Sequence, residues 1–195
     1  MRMGALAVLV SLLAMTVAAS AEPGFPSGWG GGSARNQDYE FGTTVSPSVA
    51  DKQAAYIRAK PDAAPNAYFV MFQCIKADDY IDRRVRLTGR LRTIDASAEQ
   101  MFLRVNGPAP EAGAPSRVLN FYNMSDRPIR GTTNWDDYQV VLDVPPGAIK
   151  ICYGFLLAGG KGEAWADGFS ISTVSESVAV SVTPPRKPVN LSLEK

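Results

Sequence analysis

Histidine is absent from all 195 residues of this chain. Its absence excludes Ser-His-Asp and Cys-His nucleophile systems, His-ligated zinc or haem, and any general base with an ordinary pKa near neutrality. An excess of one charge is missing too: 20 Lys and Arg face 19 Asp and Glu, for a formal net charge of +1. Such a balance speaks against a chain that neutralises many phosphates. There is little cysteine, only two residues. Long amphipathic stripes are also scarce, with a single weak helical pattern between Ala50 and Ile57. What is present is 46% apolar residues together with 17 Gly and 14 Pro, the composition of a loop-rich folded domain rather than a disordered one.

The first 21 positions read as a separate signal. Arg2 supplies a positive start, Gly4 to Ala19 is apolar apart from Ser11 and Thr16, and Ala19-Ser20-Ala21 is a small-residue cleavage triplet. These are the parts of a secretory signal peptide, 1–21, cut before Glu22. The apolar stretch is shorter than the roughly 20 residues that cross a bilayer, and helix-breaking Pro23-Gly24 follows it. The expected product is periplasmic or secreted, with no membrane span after cleavage, and loss of Arg2 brings its acidic and basic residues into balance. Export permits a disulfide. Cys74 and Cys152 are the candidates; the alternative is two separate buried thiols acting as small hydrophobes.

After a glycine-rich start, short runs of period two alternate with Pro, Gly, Asn and Asp. Val85, Leu87 and Leu91 interleave with Arg84, Arg86, Thr88, Arg90 and Arg92, the cleanest half-buried strand. Tyr68 to Ile75 is almost continuously apolar, as expected of a strand covered on both faces. Further runs occupy Met101 to Val105, Val118 to Tyr122, Tyr138 to Val144, Ile149 to Leu157 and Glu163 to Val174. Many short strands at regular turn spacing indicate an all-β, antiparallel β-sandwich or barrel. The expected organisation is one sandwich domain over 22–174, followed by 175–195 as an edge strand or extended tail. Ser175 to Thr183 would form the strand, and Pro184-Pro185-Arg186-Lys187-Pro188 the linker.

The segment Asn123-Met124-Ser125-Asp126-Arg127-Pro128-Ile129-Arg130-Gly131-Thr132-Thr133-Asn134-Trp135, with Tyr138 and Val140 to Pro145 after it, resembles a motif of β-sandwich domains attached to bacterial AraC-type transcription regulators and found in some secreted proteins. Gln73, Ala77, Tyr80 and Arg84-Val85-Arg86, then Leu103 to Gly107, then Gly154 to Gly159 with Trp165 and Asp167, extend the likeness from about Trp29 to Val174. It departs from the usual pattern where Tyr122 precedes Asn123 and where Asn106 stands, both positions commonly Asp. The resemblance implies a galactose-binding-like jelly roll, a fold that often binds carbohydrate and that in regulators is taken as sensory. This chain shows neither a helix-turn-helix pattern nor net positive charge, so no nucleic-acid partner is expected.

Two groups of residues are candidates for ligand binding. Arg84, Arg86, Arg90 and Arg92 share one strand face, and Arg104 points away from Leu103 and Val105 on the next strand. Guanidinium forks suit sulfate, carboxylate or acidic glycans, whereas the plainer reading is a solvated face paired with neighbouring carboxylates. Tyr122, Asn123, Asp126, Arg127 and Trp135 supply the aromatic, amide, carboxylate and guanidinium groups a sugar site needs. Their plainer reading is turn chemistry and core packing. The ligand-binding set is therefore Arg86, Arg104, Tyr122, Asn123, Asp126, Arg127 and Trp135. Asp78-Asp79, Asp136-Asp137 and Asp143 are the carboxylates from which a glycosidase pair would have to come. Asp167 with Asp38 or Glu40 is the one arrangement worth considering for calcium, and no catalytic residue, metal or cofactor is expected. The leading function is an exported non-catalytic binding module for a carbohydrate or other polar small ligand. The alternatives are a structural or protein-interaction domain of the cell envelope, with an unknown protein partner, and a carboxylate-dependent glycoside hydrolase.

Overall fold

The period-two alternation beginning at Arg83 supplies the central strand of a two-layer sandwich. The computed structural model describes residues 22–45 and 53–181; the expected signal peptide and the proline-rich linker lie outside the described residues. Among these described residues, twelve strands are arranged in two antiparallel sheets. They are β1 (Glu22–Pro23), β2 (Gly30–Gly32), β3 (Tyr39–Val45), β4 (Gln53–Ala59), β5 (Tyr68–Lys76), β6 (Arg83–Ile94), β7 (Ala96–Asn106), β8 (Val118–Tyr122), β9 (Ile129–Gly131), β10 (Asp136–Val144), β11 (Lys150–Ala158) and β12 (Glu163–Val174). The first sheet runs β1-β3-β4-β12-β6-β10, and the second runs β2-β5-β11-β7-β8 with β9 also pairing with β7. Among the described residues the only helical turns are the short 3₁₀ segments Asn36–Asp38 and Asp78–Tyr80.

The core lies between the sheets and is filled by every second side chain. Val85, Leu87 and Leu91 of β6, with Val140, Leu142 and Val144 of β10, meet Phe69 and Met71 of β5, Met101, Leu103 and Val105 of β7, and Ile151, Phe155 and Leu157 of β11. At one end Phe41 stacks on Phe25 and Phe69, with ring centroids 4.5 and 4.7 Å apart. Each such buried side chain contributes roughly 1.5–3 kcal/mol through removal of apolar surface from water.

Three expectations change. The stretch with the weak helical pattern is strand β4 from Gln53 onward, paired to β3 and β12; Ala54 and Ala55 fit either period, and the cross-strand partners decide. Tyr68 to Ile75 is not covered on both faces. Phe69 and Met71 point into the core, whereas Tyr68, Val70, Phe72 and Cys74 face outward along an open groove. The part of the tail described, Ser175 to Ser181, forms a turn instead of a strand. It still reaches the edge: the Ser181 amide donates to the Val141 carbonyl at 2.8 Å, and the Val141 amide donates to Ser181 Oγ at 2.8 Å. Arg84 fastens the same turn by donating to the carbonyls of Glu176 and Val178.

Candidate functional site

The outward face of the second sheet forms a groove of about 530 Å³. Register makes its floor legible row by row. One row crosses from Phe72 on β5 through Gly154 on β11 to Phe102 on β7. The next crosses from Cys74 through Cys152 and Arg104 to Phe121 on β8. A third joins Lys150 and Asn106, and Lys76, the register partner of Lys150, is not among the lining residues. Tyr68, Val70, Leu156 and Ser116 complete the lining, which holds no Asp or Glu.

Each row has a physical reason. A Cβ at Gly154 would lie 2.0 Å from the Met71 carbonyl oxygen, so no side chain fits at this position of the row between Phe72 and Phe102. Cys74 and Cys152 are bridged, with Cα atoms 4.1 Å apart and a sequence separation of 78. They are direct cross-strand partners, and the closely spaced pairs of an antiparallel ladder bring Cα atoms to about 4.5 Å. Aromatic surface is left open above this floor: Tyr68 is 50% and Phe121 44% exposed. Two polar atoms are left over as well. Asn106 is only 3% exposed, yet its Oδ1 has no hydrogen-bond partner, and the buried Arg104 Nε also lacks one.

Of the ligand-binding set read from the sequence, Arg104 lines this groove and the other six do not. Arg86 lies on the outer face of the first sheet, across the sandwich, in the row with Arg84, Arg90 and Arg92. That row is partly neutralised: Arg84 Nε donates to Asp143 at 2.7 Å, and Arg90 approaches Asp167 at 3.9 Å and lies 5.6 Å from the centre of the Trp135 ring. The Trp135 indole is half-buried with its N–H unpaired. Tyr122, Asp126 and Arg127 brace one another. The Tyr122 hydroxyl donates to Asp126 at 2.6 Å, and Arg127 donates to the Tyr122 oxygen at 2.9 Å and to the Gln139 carbonyl at 2.7 Å. The bond from Tyr122 holds the Asp126 carboxyl below its usual range, while burial pushes the Tyr122 phenol up. Asn123 accepts from the Ser125 amide, closing a local turn, and Met124 plugs the core with a left-handed φ of 55°.

Among the described residues, no three His, Cys, Asp or Glu side chains gather as a metal site. Asp38, one of the oxygens considered for calcium, is held by Arg35 at 2.6 Å and by the Ala64 amide at 3.1 Å. A second depression, of about 680 Å³, lies at the sandwich end between Trp29, Phe169, Thr43, Gln53 and Asp167.

The sequence reading missed Tyr68, Phe72, Phe102, Phe121, Asn106 and Lys150 as groove residues. The available signal was apolar character on both phases of Tyr68 to Ile75, which describes a groove floor as well as it describes a covered strand.

No known family profile matches the chain. An uncharacterised HTH-type transcriptional regulator, YbfP of Bacillus subtilis (strain 168), is 34% identical over 163 residues, covering 80% of this chain and 53% of the regulator. The chain thus spans about half the length of that curated relative. Among solved structures, the enzymatically active domain of bacteriophage CBA120 tailspike protein 4 superimposes with a TM-score of 0.55 at 16% identity, over 76% of this chain and 20% of that one. The C-terminal family 22 carbohydrate-binding module of Clostridium thermocellum Xyn10B gives 0.47 at 11% identity, over 78% and 89%. The fold is an all-β, two-sheet antiparallel sandwich. Fold likeness at these identities carries no ligand with it.

Proposed function

We propose that the chain is an exported, non-catalytic glycan-binding module that seats its ligand in the groove on the outer face of the second sheet. The observation that carries this reading is the pairing of exposed aromatic faces with unsatisfied polar groups in one concavity. Tyr68 and Phe121 rise beside a floor of Phe72, Phe102 and Leu156. Aromatic rings match the C–H faces of sugar rings, and a few fixed polar groups set orientation. Asn106 and Ser116 line the same groove and supply polar groups for sugar hydroxyls. A buried acceptor left unpaired costs about 1–3 kcal/mol, so a ligand hydroxyl that reached the Asn106 amide oxygen would offset part of that cost.

Two further features support the proposal. The lining carries no carboxylate, and glycoside hydrolysis by the usual route needs two. The Cys74–Cys152 bridge fits an oxidising compartment, in keeping with the leader read in 1–21. Glycan-array screening of the purified chain, followed by titration calorimetry, tests the reading. A saccharide hit is expected, with Tyr68→Ala and Phe121→Ala each weakening it about tenfold. No response to any saccharide, or unchanged affinity in both variants, would overturn it.

A further inference from the structure

The groove is electrostatically one-sided. Lys76 and Lys150 stand directly opposite each other on β5 and β11, and strand alternation puts both on the face that carries Cys74 and Cys152. Arg104 is the diagonal neighbour of Lys150, two positions before the Asn106 that pairs with it. Like charges directly opposite on a sheet are destabilising. Among the described residues no carboxylate lies within 4.0 Å of Lys76, Lys150 or Arg104; on the opposite face Arg84, Arg90 and Arg58 each have one, and Arg86 and Arg92 do not. Arg104 and Lys150 thus line one end of an aromatic groove, with Lys76 as the register partner of Lys150, and none of the three has a counter-charge from the described residues.

We infer that this end of the groove holds an anionic substituent of the glycan, a carboxylate or sulfate, so that the ligand class is acidic saccharides. The inference rests on the glycan reading of the groove and adds charge to it. The guanidinium of Arg104 offers a planar fork to two oxygens of the anion, while Lys76 and Lys150 act as point charges whose mutual repulsion the anion relieves. The aromatic rows set the position of the sugar ring, and the cationic end selects for its charge.

Three probes separate the possibilities: a galacturonic acid tetramer, a sulfated carrageenan tetrasaccharide, and neutral β-1,4-galactotetraose, each titrated into the intact disulfide-bonded chain. At least one charged probe is expected to bind about tenfold or more tighter than the neutral one, and the better of the two identifies the carboxylate or the sulfate as the source. The advantage should shrink in 0.5 M salt, as exposed charge interactions do (the Debye length falls from about 10 Å at 0.1 M to about 3 Å at 1 M). It should also vanish in Lys76→Gln/Lys150→Gln with circular dichroism unchanged, and Arg104→Gln should weaken binding of the charged probe more than that of the neutral one. Should Arg104→Gln fail to fold, the lysine pair alone decides. Equal affinity for charged and neutral probes, or a charge preference untouched by the lysine variants, overturns the acidic-ligand inference and leaves the groove reading standing. Binding of none of the three, with an empty glycan array, removes both.

Discussion

Glu99 belongs to the inward-facing phase of β7, between Ser97 and Met101, and is 0% exposed with neither carboxyl oxygen hydrogen-bonded. Burial raises its pKa well above the ordinary value, so the folded chain favours the protonated form. Because the folded pKa lies above the unfolded one, the contribution of Glu99 to stability is fully present below the unfolded pKa and is lost as pH rises through the folded one. Glu99→Gln keeps the shape and removes the titration. Its denaturation midpoint, followed from about pH 4 upward, should hold steady where the parent chain declines and should exceed the parent's at neutral pH; parallel curves would contradict the assignment. Asp126 tilts the other way: its lowered pKa contributes stability above the unfolded pKa that is lost as pH falls through the folded one.

At the scale of elements, the β5–β11 pair carries both the groove floor and the staple. Replacing Cys74 and Cys152 by Ser should lower unfolding free energy by about 4 kcal/mol on the chain-entropy account, measured by urea denaturation under non-reducing conditions; a loss near zero would mean that the ladder alone sets the spacing. Much of this level was legible beforehand. Val118 to Tyr122 and Glu163 to Val174 are strands with the bounds their sequences suggest, because turn residues stop both ends. Less legible were β3 and β4, whose short side chains at Gly42, Ala54 and Ala55 give no clear period and whose pairing is settled by distant partners. The groove escaped notice for a related reason. Period two tells which residues share a face, and Arg104 was placed away from Leu103 on that ground, but nothing local distinguishes an outward Phe72 or Phe102 from one covered by another layer. Tyr122, Asp126 and Arg127 are close in sequence and look like a site; hydrogen bonding to one another and to the Gln139 carbonyl turns them into a brace.

On the scale of the whole molecule, the sandwich has two unlike faces and one guarded edge. β10 closes the first sheet at its border, and the turn after β12 covers Val141 there through the Ser181 contacts. Exposed sheet edges recruit other strands. A chain ending at Val174 should therefore associate in a concentration-dependent way, visible in sedimentation velocity, where the longer chain does so less; identical sedimentation of the two would show that the turn does not guard the edge. Gly154 has a different kind of consequence. The approach of the Met71 carbonyl leaves no room there for a Cβ, so substitution at that position offers no gradual route to a reshaped groove. If the groove binds as proposed, divergence of ligand preference must instead pass through side chains such as Tyr68 and Phe121, which stand 50% and 44% exposed. The backbone thus closes one path of change and leaves the rim open.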